Sequence, residues 1–340
     1  MENEKKKSKK VLLIVLISVL VLVLALLVTG FIFGKSLLGY VGRLDGEEET
    51  ISLEEEEEIL NETDPTEPSA TEEQVEIEEE KEDAQLINKS DNIINILLVG
   101  QDKREDQKRQ RSDSMILVTI NRQKKTLTMT SFMRDLWIRI PGKYDERLNV
   151  PYKIGGFKML NATLESEFGI KVDHNVEVDF TSFEKIVDAL GGVEITLSKG
   201  EAKQVSNVGD KIEAGTHVLN GTQALAYARI RKIDNDFART NRQRKVISAI
   251  LSKVKNVNLT ELYDLAKTIL PMIRTDMTDS EIMGYILEFA PQLSQMEVVS
   301  QRIPIDKGYV MTRIKGKSVL YLNKKNRQKN LDFLRETLGE

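Results

Sequence analysis

The 340 residues carry a formal net charge of −5 and contain no cysteine. That excludes a thiol nucleophile, a cysteine-ligated metal and a disulfide framework. Two histidines, His174 and His217, are too few and too far apart for a histidine-rich zinc site, and both read as loop residues rather than catalysts.

Residues 1–10 form a basic tail, with five lysines between Lys5 and Lys10. Val11 to Phe33 then runs without a single charge. About 20 apolar residues cross a bilayer core as a helix. A cleavable signal peptide has a shorter apolar region and a small-residue exit, and this run has neither feature. The flanking lysines place the N-terminus in the cytoplasm and everything after residue 34 outside. The reading is a single-pass anchor, residues 11–33, with an extracytoplasmic body.

Residues 34–84 read as an acidic linker. Between Asp45 and Asp83 stand 20 Asp and Glu against one lysine, with two prolines and no aromatic residue. Such a stretch buries too little apolar area to offset chain entropy, so it is expected to be disordered and extended. Downstream, residues 84–340 hold 41 Lys and Arg against 32 Asp and Glu, a net charge of +9. A basic body outside the membrane points to phosphates or polyanionic polymers, and not to nucleic acid.

Ile93 to Val99 is a continuous apolar run before Gly100, the pattern of a buried central strand. Met115 to Ile120 repeats it, and Thr126 to Phe132 alternates, so these two predict a hairpin. The polar loop from Gly100 to Ser114 carries Asp102 at its entry, with Arg111 and Asp113 at its exit. Carboxylates on adjacent strand ends suit Mg²⁺, although turn caps or ion pairs with Arg104 and Arg111 would use the same residues. Arg134 and Asp135 follow the third strand. A helix is expected over about Phe157–Phe168, a strand over Val176–Phe180, and a helix over Thr181–Leu190. Thr181 and Glu184 stand at capping-box spacing there, and Gly191-Gly192 ends the helix before a strand at Val193–Leu197. Further helices are expected over Thr240–Lys255, Leu259–Leu270, Asp279–Phe289 and Lys325–Leu338. Late strands are expected over Glu297–Ile303 and Ser318–Leu322. Alternating elements of these lengths predict an α/β/α sandwich around one mixed sheet.

The stretch from Leu219 to Lys245 holds five arginines, Arg229, Arg231, Arg239, Arg242 and Arg244, and folding could bring Arg134 to them. Guanidinium forks match phosphate oxygens, and clustering them on an apolar framework is costly unless an anion sits between them. Arg239 and Gln243 lie one helical turn apart, on one face. A plain solvated basic helix is the alternative. The apolar stripes of the following helices are either ordinary core or the wall of a greasy groove beside the arginines.

At these residues the sequence resembles the LytR–CpsA–Psr family of cell-wall enzymes. The resemblance runs from about Asn92 to Lys255 in an ordered series: NILLVGQD, RSDSMILVTIN, SFMRD, Leu148-Asn149 with Gly155-Gly156 leading into the helix, VDALGGV, LNGTQALAYARIR and DFARTNRQ. It implies an α/β/α catalytic domain over residues 85–340, with a hydrophobic pocket for a polyprenyl tail. The implied enzyme is an extracellular Mg²⁺-dependent phosphotransferase anchored in the cell membrane of a Gram-positive bacterium. It moves an anionic glycopolymer, such as wall teichoic acid or capsular polysaccharide, from polyprenyl pyrophosphate to a peptidoglycan hydroxyl. Asp102 and Asp113 match the carboxylates that organise Mg²⁺ and the nucleophile. Arg111, Arg134, Arg229, Arg231, Arg239 and Gln243 match the pyrophosphate-binding group, with Asp135 and Asp236 orienting the arginines. A lipid pyrophosphatase and a non-catalytic envelope regulator are the rival functions.

Overall fold

The computed structural model describes residues 41–44, 50–64, 83–87, 90–101, 110–112, 114–231, 233–255, 265 and 267–339. The expected membrane span at 11–33, Asp102 and Asp113 of the polar loop and most of the expected helix at Leu259–Leu270 lie outside these residues. The described chain begins with β1 (Gly42–Arg43) and helix α1 (Leu53–Asn61), then passes through β2 (Ile93–Gln101), β3 (Ser114–Asn121) and β4 (Thr126–Phe132). Two short strands, β5 (Leu136–Arg139) and β6 (Asp145–Arg147), precede α2 (Val150–Phe168), β7 (His174–Asp179), α3 (Phe180–Ala189) and β8 (Val193–Leu197). Helix α4 (Lys199–Val205), β9 (Gly215–Leu219), α5 (Gly221–Ala228) and α6 (Asp236–Lys255) follow. The chain closes with β10 (Arg274–Thr275), α7 (Asp279–Phe289), β11 (Glu297–Ile303), β12 (Val310–Ile314), β13 (Lys317–Tyr321) and α8 (Lys324–Leu338).

The central sheet is mixed, in the order β1-β10-β7-β2-β3-β4-β11. β2 pairs parallel to β7 and antiparallel to β3, and the expected hairpin joins β3 to β4. Both faces are covered, which explains the continuous apolar runs. Leu97, Val99, Met115 and Leu117 pack on one side with α2 and α8. Their alternates Ile94, Ile96, Ile116 and Ile120 pack on the other with α6 and α7. The α/β/α layering expected from the sequence is therefore present. A second sheet, β12-β13-β5-β6, closes over Trp137 and Tyr321.

Four local expectations change. Helix α2 starts at Val150 rather than near Phe157, because Pro151 fits a first helical turn. The Gly155-Gly156 pair interrupts α2 instead of preceding it, and Gly156 takes a φ of 59°. Helix α3 is capped by Asp179, not Thr181. Asp179 ends β7 in extended backbone and its Oδ1 accepts the Ser182 amide at 2.7 Å. The two histidines lie in strands rather than loops. His174 opens β7 and meets the Tyr285 hydroxyl at 2.8 Å, and His217 lies in β9.

The largest correction concerns the acidic linker. Residues 50–64 of that stretch are a strap packed on the body, and β1 pairs with β10. Ser52 and Glu55 form a capping box that starts α1. Ile59 is buried in the main core, and the Lys317 ammonium donates to its carbonyl at 2.8 Å. Glu56 accepts from Lys143 at 2.6 Å, Asp64 accepts the Ser318 amide at 2.8 Å and pairs with Arg147, and Glu62 pairs with Arg111. The acids looked unsupported because their basic partners lie far along the chain.

This docking makes the strap pH-sensitive. Burial opposes the charge on Asp64 and Glu62, but Arg147 with the Ser318 amide, and Arg111, outweigh it and hold both carboxyls below their ordinary values of 3.8 and 4.5. A depressed carboxylate stabilises the fold above its unfolded pKa, and the contribution is lost as pH falls through the folded value. Hydrogen-exchange protection of residues 50–64 should therefore drop below about pH 4. Asp64→Ala should lower the same protection at pH 7 by about 1.5–3 kcal/mol.

Candidate active site

The site is assembled from strand ends and two helix termini. β2 and β3 pair Gly100 with Ser114, so the chain leaves and re-enters the polar loop at neighbouring strand ends. The loop-flanking Gln101 and Ser112 are fully buried, and Gln101 Oε1 accepts the Gln110 amide at 3.1 Å. Asp102 and Asp113 fall just beyond these positions and lie outside the described residues. Arg111 turns towards the strap, where Glu62 holds it.

At the end of β4 the chain turns, placing the Arg134 Nε 3.4 Å from Asp135 Oδ2 and 3.8 Å from Asp236 Oδ1. Asp236 opens α6, and its Oδ1 lies 2.7 Å from Nη2 of Arg239, one turn on. Arg239 is only 3 % exposed. Burial pushes the Asp236 carboxyl above its ordinary pKa, against the pull of Arg239 and Arg134. Asp135, Asp236, Arg134 and Arg239 thus form one chain of alternating charges.

Helix α5 starts with an Asn220–Gln223 capping box and ends at Arg229, whose guanidinium lies 4.4 Å over the Phe180 ring at the start of α3. A planar cation on an aromatic face keeps its edge N–H groups available for an anion. Arg229 and Arg231 are exposed, whereas Gln243 is half-buried.

These groups share a cavity of about 340 Å³. Arg229, Arg231, Arg239 and Gln243 line it together with Leu98, Ile116, Phe183, Leu225, Val246 and Ile250. The face expected from the Arg239–Gln243 spacing therefore continues one turn at a time through Val246 and Ile250 as an apolar wall. The rest of that wall comes from β2, β3, α3 and α5, none of which the sequence reading assigned to a groove. Phe183 was legible only as an apolar residue of the helix expected over Thr181–Leu190, and Phe180 only as the end of the strand before it, whereas the helix begins at Phe180.

Two arginines of the basic stretch do not join the group. Arg242 is buried and makes paired bonds to Asp234 at 2.6 and 2.7 Å and a third to the Ile230 carbonyl at 2.7 Å. It fixes the loop between α5 and α6. Arg244 is buried near Arg302, and burial first, then that neighbouring cation, lowers its pKa to about 10. Among the described residues, no group of three or more His, Asp or Glu side chains is arranged to hold a metal ion.

A sequence model described as the LytR_cpsA_psr family matches residues 60–336. The chain belongs to the LytR_cpsA_psr family. The match begins inside the strap, in keeping with its docking on the body. Among curated members of the family, the regulatory protein MsrR of Staphylococcus aureus is 35% identical over 255 residues, 73% of this chain and 76% of MsrR. TagT of Bacillus subtilis, named a polyisoprenyl-teichoic acid–peptidoglycan teichoic acid transferase, is 34% identical over 215 residues, 61% of this chain and 66% of TagT. A solved structure of the family protein YwtF (TagT) with bound octaprenyl pyrophosphate lipid superimposes with a TM-score of 0.58 at 27% identity, covering 78% of this chain and all of that one.

Proposed function

We propose that this protein transfers a glycopolymer from a polyprenyl pyrophosphate carrier to a sugar hydroxyl of peptidoglycan, forming a phosphodiester. The observation that carries the reading is the cavity: an apolar wall with three guanidiniums and an amide on one lining suits a long apolar tail joined to a pyrophosphate. The octaprenyl pyrophosphate bound by TagT and the transferase activity in its name support the same reading. An anchor at residues 11–33 would hold the body outside the membrane, beside a carrier that cannot leave the bilayer.

The acceptor hydroxyl oxygen attacks the phosphorus that bears the saccharide. The bond from that phosphorus to the bridging oxygen breaks, and its electron pair stays on the departing polyprenyl phosphate. The hydroxyl proton passes to Asp102. Arg229, Arg231, Arg239 and Gln243 bind the pyrophosphate oxygens, and Arg134, held by Asp135 and Asp236, neutralises charge on the transferring phosphoryl group.

Mg²⁺ would be held by Asp102 and Asp113. The buried Ser112 Oγ between the strand ends, without a hydrogen-bond partner among the described residues, is a neutral oxygen of the kind a hard cation takes. When bound, the ion would add neutralising charge beside the pyrophosphate.

Binding of polyprenyl pyrophosphate to the full chain, followed by native mass spectrometry, tests the reading. Ile250→Asp, which puts a carboxylate into the apolar wall, should weaken binding by at least about tenfold. Arg229→Ala should leave the fold intact and lower turnover by about 10–100-fold. Wild-type turnover in that variant would remove Arg229 from the site, and no lipid binding by the wild-type chain would overturn the function.

A further inference from the structure

Arg244 and Arg302 carry charge that neither the lipid cavity nor the proposed reaction uses. We infer that these two guanidiniums, with the hydroxyls of Ser131 and Ser300, form a second oxyanion site that takes a phosphate group. It lies between α6 and the edge strand β11, across α6 from the lipid cavity. The site is independent of the transferase reading, and either can fail alone.

Strand register puts the parts on one face. Ser131 of β4 stands opposite Ile116 of β3 on one side and Arg302 of β11 on the other. Directly paired residues share a face of the sheet. Ile116 packs on the α6 side and lines the lipid cavity, so Ser131 and Arg302 face that side too. Ser300 pairs with Met129, a member of the same cluster, and shares the face. It is exposed because β11 is the last strand of the sheet, so the notch opens to solvent there. Arg239, Gln243, Val246 and Ile250 turn one flank of α6 to the cavity. Arg244 stands about 100° further round the helix than Gln243, on the flank where it feels the Arg302 charge. Two strand spacings, about 10 Å, separate the cavity wall at Ile116 from Arg302.

Uncompensated charge is the second argument. Arg244 is 7% exposed, and among the described residues its side chain makes one long hydrogen bond, from Nη2 to Asn241 Oδ1 at 3.4 Å. Its buried Nε and Nη1, and the buried Ser131 Oγ, have no partner among the described residues. Burial and the Arg302 cation lower its pKa to about 10, no carboxylate opposes them, and the group stays charged at neutral pH. Arg242, on the same helix and equally buried, shows the usual remedy, a carboxylate supplied by Asp234. A buried charge without such a partner is strongly destabilising, so Arg244 calls for an anion from outside the chain. Arg302 gives Nη1 to the Pro304 carbonyl at 2.6 Å and Nη2 to Asp306, whose side chain is 88% exposed and neutralises it only weakly. Stacking 4.4 Å from the Phe237 ring holds the Arg302 guanidinium in place. Guanidinium forks and hydroxyl donors around one point match a phosphate. That phosphate is either the free ion or a phosphodiester within an anionic polymer.

The test uses the full chain, inorganic phosphate as the probe, and two variants. Arg244→Met keeps an apolar stem without the charge, and Ser300→Asp, at an exposed position, sets a carboxylate in the notch. The Nε–H resonance of Arg244, assigned by its loss in Arg244→Met, should move with added phosphate in the wild type and stay in place in Ser300→Asp. Phosphate at about ten times its Kd should raise the wild-type Tm by about 2–4 °C more than that of either variant. Phosphate held by the Arg229 group acts on all three chains and cancels in that difference. Without phosphate, both variants should melt at or above the wild type, since each relieves an unpaired buried cation. Bis(glyceryl) phosphate then separates the sources. If it moves the Arg244 resonance as phosphate does, the site takes a polymer phosphodiester; if only inorganic phosphate does, it takes the free ion. An Arg244 resonance unmoved by either probe, or the same rise in Tm in all three chains, overturns the site. So does a marked loss of stability in both variants without phosphate, because Arg244 would then be satisfied within the fold.

Discussion

Arg239→Ala should lower turnover of a polyprenyl-pyrophosphate-linked saccharide by about 10²–10³-fold, the usual cost of removing one preorganised stabiliser of a phosphoryl-transfer charge. Arg239 is the buried member of its group, at 3 % exposed, and it lines the lipid cavity while its Nη2 lies 2.7 Å from Asp236 Oδ1. Poor solvation strengthens its attraction for a phosphate oxygen, whereas the exposed Arg229 and Arg231 are screened. Arg239→Lys should fail nearly as badly, because an ammonium cannot hold Asp236 and a phosphate with one planar fork. The loss should not be a folding defect. Burial already favours protonation of Asp236, so the carboxyl left behind can neutralise. Steady-state rates beside thermal melts of the same samples separate the two effects. Near-normal turnover in Arg239→Ala would place the pyrophosphate elsewhere.

The largest effect on stability is expected at the Lys317–Glu146 ion pair. Their side chains are 3% and 2% exposed, and they join β13 to β6 beneath the strap. Removing one partner strands a buried charge, so Glu146→Ala should cost about 3–5 kcal/mol in denaturant unfolding. Lys317→Ala should cost a similar amount and also free the strap, since the Lys317 ammonium holds the Ile59 carbonyl. Replacing both with well-packed apolar residues, as in Glu146→Leu with Lys317→Met, should recover most of the loss. If the single variants unfold like the wild type, the pair is not what closes the second sheet.

The layered core was legible because its strands are buried on both faces and its helices carry regular apolar stripes. Ile93–Val99, Thr126–Phe132, Asp279–Phe289 and Glu297–Ile303 read correctly as elements for this reason. β5, β6 and β12 were not legible. Each is short, and its burial depends on a partner elsewhere, as Trp137 depends on Ile314 and Tyr321. The strap was misread for the same kind of reason. Composition counted its acids and could not show Arg147, Lys317 and Ser318 folding back to meet them. Within the site, helical spacing gave Arg239 and Gln243. Only geometry separated these from Arg242, which serves the loop between its helices.

The central claim is best tested by one reaction. The full chain, in detergent with Mg²⁺, is mixed with polyprenyl-pyrophosphate-linked saccharide labelled in its sugar and with peptidoglycan oligomers, and the products are resolved by mass. The account predicts labelled saccharide joined to the oligomer through a phosphodiester, with polyprenyl phosphate released in equal amount and both products lost in Arg239→Ala. Labelled phosphosaccharide released into water, with no adduct at any oligomer concentration, would contradict it and make the protein a lipid pyrophosphatase.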